Sequence, residues 1–440
     1  MIRLNSRRRL TALVSIVGVI AAACTSGGDD VTTQSADSTA PSTAEDESSD
    51  DSPDGDGDGG SGGSASSGDD TSADGGADSS GGPLRAPTVA PDVEGLPLLT
   101  EADADTRTGT LDNGLRYFVR SNDNPGSKAD LRLTIDAGSA LEDEDQLGGA
   151  HFLEHMLFNG TERFPKNELV DTLRSFGAAF GADVNAYTSF DETVYSLNVP
   201  ADDETVELGL DVLEQWLSFA LIDPDEVAAE RGIVLDEWRV RDQTANGRIF
   251  NEISSFFLDG TAYENRLPIG GEQAILATDA DALRRYYERW YRPDNAAVIV
   301  VGDIDVDEIE AAIIERFGEA ENPETPLDRP NLVVDPADET RALVVDDPDL
   351  DEGFAFVTLA AEPLEGLTTE AESLVDLYEG IAFDIVATRL QNDALRGLAP
   401  FDEASVGSTE ITRGAVAPEV FITVDGDEVA DGVQVVVDEY

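Results

Sequence analysis

Hydrophobic and polar positions change their period several times along this chain, and each change marks an element. Across 129–137, Leu131, Leu133 and Ile135 alternate with polar neighbours, the two-residue period of a strand with one buried face. Just upstream, 108–120 reads as two short strands around the turn Asp112-Asn113-Gly114. Near Gly149 the pattern lengthens to that of a helix, and 167–176 repeats it with Leu169, Leu173 and Phe176 on one side. Gly177 and Gly181 break the run, and strand-like stretches follow at 184–188 and 192–199. The stretch 205–219 is amphipathic, carrying Leu208, Val212, Leu213, Trp216 and Leu217. Pro224 opens a further helix behind Asp223 as its cap, and this helix runs through Glu237 and beyond. Helices are also predicted at 280–290 and 305–317. Between them 296–301 is a continuous apolar run fit for a buried strand.

From 319 to 330 the chain carries Pro323, Pro326 and Pro330 and little apolar content, which marks a boundary between domains. Beyond it strands are predicted at 342–345 and 353–359, a long helix at 368–395, and strands at 404–408 and 419–424. That order predicts a second module related to the first, although no repeat is visible in the letters. A helix start follows at Asp425-Gly426-Asp427-Glu428, close to the last residue, Tyr440. The expectation is that the last helix and any later elements of this module are missing, so that the sequence is a fragment.

The first residues follow a different logic. Arg3, Arg7, Arg8 and Arg9 precede an apolar run from Leu10 to Ala22, too short to span a membrane stably, and the run ends in Ala21-Ala22-Ala23-Cys24. Residues 1–23 therefore read as a signal peptide of bacterial lipoprotein type, with Cys24 as the acylated residue. Cys24 is also the only cysteine of the 440 residues, which excludes a disulfide framework and any cysteine-based metal site or nucleophile. Residues 24–95 are Ser, Gly, Asp, Thr and Ala with almost nothing apolar to offset ordering entropy, a disordered tether. The formal charge of -64 extends well past it: 15 acidic and no basic residues lie between Thr25 and Pro83, and 77 acidic against 24 basic residues lie beyond. Nucleic acid is excluded as a partner, and the charge suits a solvated surface in salty surroundings.

The candidate chemistry is concentrated in one turn. The chain has only two histidines, and they stand four residues apart in His151-Phe152-Leu153-Glu154-His155. On a helix such residues share a face, so both rings can reach one ion. Glu154 lies on the same face. Neutral imidazoles suit zinc, and a carboxylate beside a metal-activated water can take its proton, the logic of the H-x-x-E-H order. Two histidines leave a catalytic zinc one protein ligand short. Glu230 and Glu237, seven residues apart on the helix behind Pro224, are the candidates to supply it, and spacing alone does not choose between them.

These residues resemble the pitrilysin or M16 metallopeptidases, a family that includes insulin-degrading enzyme and the mitochondrial processing peptidase. Gly138 with Gly148-Gly149-Ala150-His151-Phe152-Leu153-Glu154-His155 looks like the zinc signature, and Ala229 to Arg239 looks like the downstream glutamate segment. Asn185-Ala186-Tyr187-Thr188-Ser189 is similar to the substrate-side strand, and Arg266-Leu267-Pro268-Ile269-Gly270 is also family-like. The likeness covers about 108–317 and is closest to bacterial zinc proteases of the PqqL type. It implies an α/β (α+β) fold of LuxS/MPP-like metallohydrolase modules, each an antiparallel-rich sheet with packed helices. It further implies a catalytic zinc domain at 100–318, a linker at 319–334 and a second, truncated module at 335–440. His151, His155 and Glu237 match the Zn2+ ligands, Glu154 the general base, and Glu230 an accessory acid. Asn185 matches a contact to substrate backbone, and Tyr187 lies where the family builds a pocket wall. The expected function is a zinc endopeptidase acting on peptides or unfolded proteins, held to the envelope by its lipid anchor. Its rival is a peptide-binding half that depends on a second M16 half or a partner subunit.

Overall fold

A computed structural model describes residues 105–439 except 125, 167, 176, 180, 333, 335–340, 346, 350–352, 359–369, 414 and 426–427. The signal-like segment, Cys24 and the acidic tract lie outside the described residues. The opening hairpin forms as its turn requires, pairing β1 (Thr106–Thr110) with β2 (Arg116–Ser121) across Gly114, which takes the positive φ that the turn needs. β3 (Lys128–Ile135) buries Ala129, Leu131, Leu133 and Ile135 on one face, as its alternation predicts. The chain then forms α1 (Gly149–Asn159), α2 (Glu168–Ser175), β4 (Val184–Thr188) and β5 (Thr193–Pro200).

Next come α3 (Asp203–Ser218) and α4 (Pro224–Asp242), where Asp223 accepts the backbone N–H groups of Asp225 and Glu226 as the predicted cap. α5 (Ala245–Leu258) and the short α6 (Glu272–Ala277) were not anticipated. The first of these was legible: Thr244 caps it, and Ile249, Ile253 and Phe257 recur at four-residue spacing on its buried side. α7 (Ala280–Trp290), β6 (Ala296–Gly302) and α8 (Val306–Phe317) fall where the sequence placed them.

The six strands form one sheet in the order β1-β2-β6-β3-β5-β4, antiparallel throughout except for the parallel pair β2 and β6. β4 is therefore an edge. α3 packs on β3 and β5, α8 on β2, and α1 wedges between β4, α4 and α7. Aromatic rings close the gap between helices and sheet: Tyr195 meets Trp216, the Trp216 indole donates to Leu157 O at 3.1 Å, and the Tyr195 and Tyr291 hydroxyls pair at 2.7 Å.

Residues 319–332 have no regular structure. The second module holds β7 (Phe354–Thr358), α9 (Glu370–Leu395), β8 (Glu403–Thr412) and β9 (Ala415–Thr423), its sheet ordered β7-β9-β8. Two expectations are corrected here. Residues 341–345 form no strand: Leu343 and Val345 instead pack against Phe190, Ile253 and Phe257, so their alternation reflects side-chain packing without a paired backbone. The last helix is present as α10 (Val429–Glu439), with Gly432 against Ile422 and Val436 buried. Among the described residues, no helix is long and apolar enough to cross a membrane.

Leu131 is fully buried in the middle of the first sheet. Leu131→Ala is expected to cost about 2–5 kcal/mol in urea unfolding, whereas Val240→Ser, at an exposed position, should stay within about 0.5 kcal/mol.

Candidate metal centre

α1 begins at a place where its own sequence offers no cap. Gly148 takes φ 76°, and a Cβ there would stand 2.8 Å from Ile269 O, so only glycine fits between helix and loop. The capping acceptor comes from the preceding loop: the buried Glu142 carboxylate receives the N–H of Gly148 at 2.9 Å and of Ala150 at 2.8 Å. Burial pushes this carboxyl well up despite those bonds. Sequence reasoning missed Glu142, because nothing in its spacing announces that the loop folds back onto the helix end.

With the first turn held, His151 and His155 present their rings on one side, centroids 4.8 Å apart. α4 crosses that side. Glu237 approaches both rings, 3.5 Å from His151 Nε2 and 3.2 Å from His155 Nε2. Glu230 meets the other nitrogen of His155, Nδ1, at 3.0 Å. Tertiary contact thus resolves what spacing left open: Glu237 joins the two Nε2 atoms, and Glu230 stands behind one ring. The Glu230 bond puts the proton of a neutral His155 on Nδ1 and turns the Nε2 lone pair inward.

Among the described residues, His151, His155 and Glu237 form a group whose ligand atoms lie within 4.8 Å of one another. Two ligands of a tetrahedral zinc are about 3.3–3.4 Å apart, given metal–ligand distances near 2.0–2.1 Å. His151 Nε2 stands 3.5 Å from Glu237 Oε1 and His155 Nε2 stands 3.2 Å from Oε2, each close to that value, and two imidazoles with one carboxylate are the donor set of a catalytic zinc. The residues fit the ion.

Burial and mutual contact shift each of these groups. Burial, reinforced by the neighbouring His155, drives His151 down to about 3, so it stays neutral and ready to ligate. His155 also loses solvation, but hydrogen bonds to Glu230 and Glu237 outweigh this and lift it to about 10. Glu237, against its own burial, is drawn to about 2 by His155 and His151. Arg241, one turn further along α4, donates to Glu237 Oε1 at 3.1 Å.

Glu154 lies beside the group, buried, with one oxygen receiving the Thr188 hydroxyl at 2.6 Å. Desolvation raises it to about 7, against the pull of Thr188 and His155. Thr188 is a second residue that sequence reasoning missed; a threonine at a strand end carries no signal of its contact. The pleat of β4 sends Thr188 toward α1 and leaves Asn185 and Tyr187 on the opposite, exposed face. Asn185 Oδ1 accepts the Ala186 N–H at 2.9 Å, and the Tyr187 hydroxyl donates to Glu192 at 2.7 Å. These two are therefore not gathered with the histidines.

The family model described as insulinase, peptidase family M16, matches residues 117–268, and that described as the peptidase M16 inactive domain matches 278–409. The chain is 40% identical over 224 residues to a probable zinc protease PqqL of Haemophilus influenzae, covering 51% of this chain and 24% of that protein. It is 33% identical over 302 residues to a zinc protease PQQL-like of Arabidopsis thaliana, covering 68% and 31% respectively. The crystal structure of the first half of the periplasmic protease PqqL from Escherichia coli superposes with a TM-score of 0.70 at 31% identity, covering 77% of this chain and 72% of that one. The chain spans only 24% and 31% of the length of the two curated relatives.

Because His155 holds a proton at pH 7 without metal and must lose it to ligate, Zn2+ binding should release about one proton. Calorimetric titration at pH 7 in two buffers of different ionisation enthalpy reads that number; binding with no release would mean that His155 is already neutral.

Proposed function

The chain belongs to the insulinase family of peptidases, M16, and from that premise we propose that it is a zinc-dependent endopeptidase acting on extended or unfolded peptides. The observation that carries this reading is the convergence of both Nε2 atoms on Glu237, with a buried carboxylate poised near neutrality beside them. His151, His155 and Glu237 would hold the ion, which when bound polarises the scissile carbonyl and makes water more acidic.

The chain's own groups do the rest. Glu230 keeps the His155 ring in the tautomer that offers Nε2. Arg241 holds one oxygen of Glu237 in place. Thr188 holds Oε2 of Glu154, so proton exchange falls to Oε1. Burial raises the Glu154 carboxyl, a direction that suits a group that accepts a proton from water and returns it to the leaving amine. Burial of Glu154 and His151 removes bulk water, which would otherwise screen the developing charge.

Glu154→Gln keeps the shape and removes the base. Metal stoichiometry should be retained while cleavage of a quenched peptide falls by about 10²–10⁴, and undiminished cleavage would reject the role. His155→Ala should lose metal and activity together, and a chelator should abolish cleavage by the unmodified chain. Metal binding without cleavage in the presence of peptide would favour the rival reading, a peptide-binding half completed by a second M16 half or a partner subunit.

We also propose attachment to the bacterial envelope through an acylated Cys24, supported by the arginines, apolar run and small residues that precede it. Cys24→Ser should move the protein from the membrane fraction to the soluble one, and an unchanged distribution would reject the anchor.

A further inference from the structure

The turn between β8 and β9 belongs to the second module, yet Arg413 in that turn is anchored in the first. Its backbone N–H donates to Asp191 Oδ2 at 2.9 Å, its Nη2 to Glu192 Oε2 at 3.0 Å, and its Nη1 to Asp136. Glu192 uses its other oxygen to accept the Tyr187 hydroxyl at 2.7 Å. One carboxylate thus links a guanidinium of the second module to Tyr187, whose ring is 40% exposed on the edge strand β4.

The surrounding charges make that link specific. Asp136, Asp191 and Glu192 lie together at the end of the β4–β5 hairpin, and two guanidinium groups hold them apart. Arg329, from the irregular stretch between modules, meets Asp136 at 3.1 Å and Asp191 at 2.9 Å. Asp191 also accepts the Tyr263 hydroxyl at 3.0 Å. If the Arg413 side chain is removed, Asp136 and Asp191 each keep Arg329, and Asp191 keeps the Arg413 backbone N–H. Asp136 then loses one of its two guanidinium contacts, whereas Glu192 loses the only one it makes among the described residues, and repulsion from its two acidic neighbours acts on the carboxylate that orients Tyr187.

We infer that Arg413 is a positioning residue for peptide binding, which couples the second module to the exposed face of β4 by fixing Glu192 and through it the Tyr187 ring. The inference rests on the reading that this chain binds extended peptides, and it adds a way for the module described in its family as inactive to set how tightly they are held. Because the Arg413 side chain is 41% exposed, its truncation leaves the cores of both modules intact.

The test is a double-mutant cycle on the full chain, stripped of metal so that no hydrolysis intervenes, with a fluorescein-labelled β-casein fragment as probe and anisotropy as readout. Arg413→Ala is expected to weaken binding about 2- to 30-fold, the range for a residue that acts through a contact network. The same change made in a Tyr187→Phe background should then have little further effect, because the hydroxyl through which it acts is gone. Thermal unfolding and zinc affinity of Arg413→Ala should match the unmodified chain. An unchanged Kd, or full additivity of the two substitutions, would overturn the coupling. Tight binding without hydrolysis by the zinc-loaded chain would overturn the peptidase reading and leave the coupling standing; no binding at all would overturn both.

Discussion

Two imidazoles placed one turn apart on a largely buried helix face would be costly neighbours if nothing met their ring nitrogens. α4 meets them. Its start is set by the Asp223 cap and Pro224, and from that start Glu230 and Glu237 fall two turns apart on the side that crosses α1. The consequence is a five-residue cluster, with Glu230 on His155 Nδ1, Glu237 on both Nε2 atoms and Arg241 on Glu237, while among the described residues nothing bonds the buried His151 Nδ1. A shift of α4 by a single residue would turn both carboxylates by about 100° and leave the imidazoles without partners.

The sheet decides which side chains can approach this cluster. β4 is held between the helix face and open surface, so its pleat divides the work: Thr188 reaches Glu154, while Asn185 and Tyr187 look the other way. The strand that completes the sheet arrives late in the chain. β6 slots between β2 and β3 and so joins the opening hairpin to the β3-β5-β4 part of the sheet. The β4–β5 turn is fixed in addition from the far module, through Asp191 and Glu192.

Much of the architecture was legible because its elements carry strong periods and plain punctuation. The alternation in β3, the Asp223-Pro224 start, and the apolar run of β6 all place elements within a residue or two of where they lie. Where expectation failed, a physical reason is visible. Leu343 and Val345 alternate like a strand, but they fill a core between modules with no ladder to join. A helix start so near the last residue predicts no helix, yet α10 forms, with Gly432 against Ile422 and Val436 buried beside Val429, Val433 and Val435.

The amino-acid sequence by itself determined that His151, Glu154 and His155 share one helix face, because positions i, i+3 and i+4 do so whatever surrounds them. It also set Glu230 and Glu237 on nearly the same face of the helix behind Pro224, as candidates to meet the imidazoles. Only the tertiary structure decided that Glu237 meets both Nε2 atoms, that Glu142 and Thr188 hold the helix end and Glu154, and that Arg413 reaches Glu192. Those contacts join residues from six to more than two hundred positions apart, and local periodicity carries no information about which distant side chains a folded chain brings within hydrogen-bond reach.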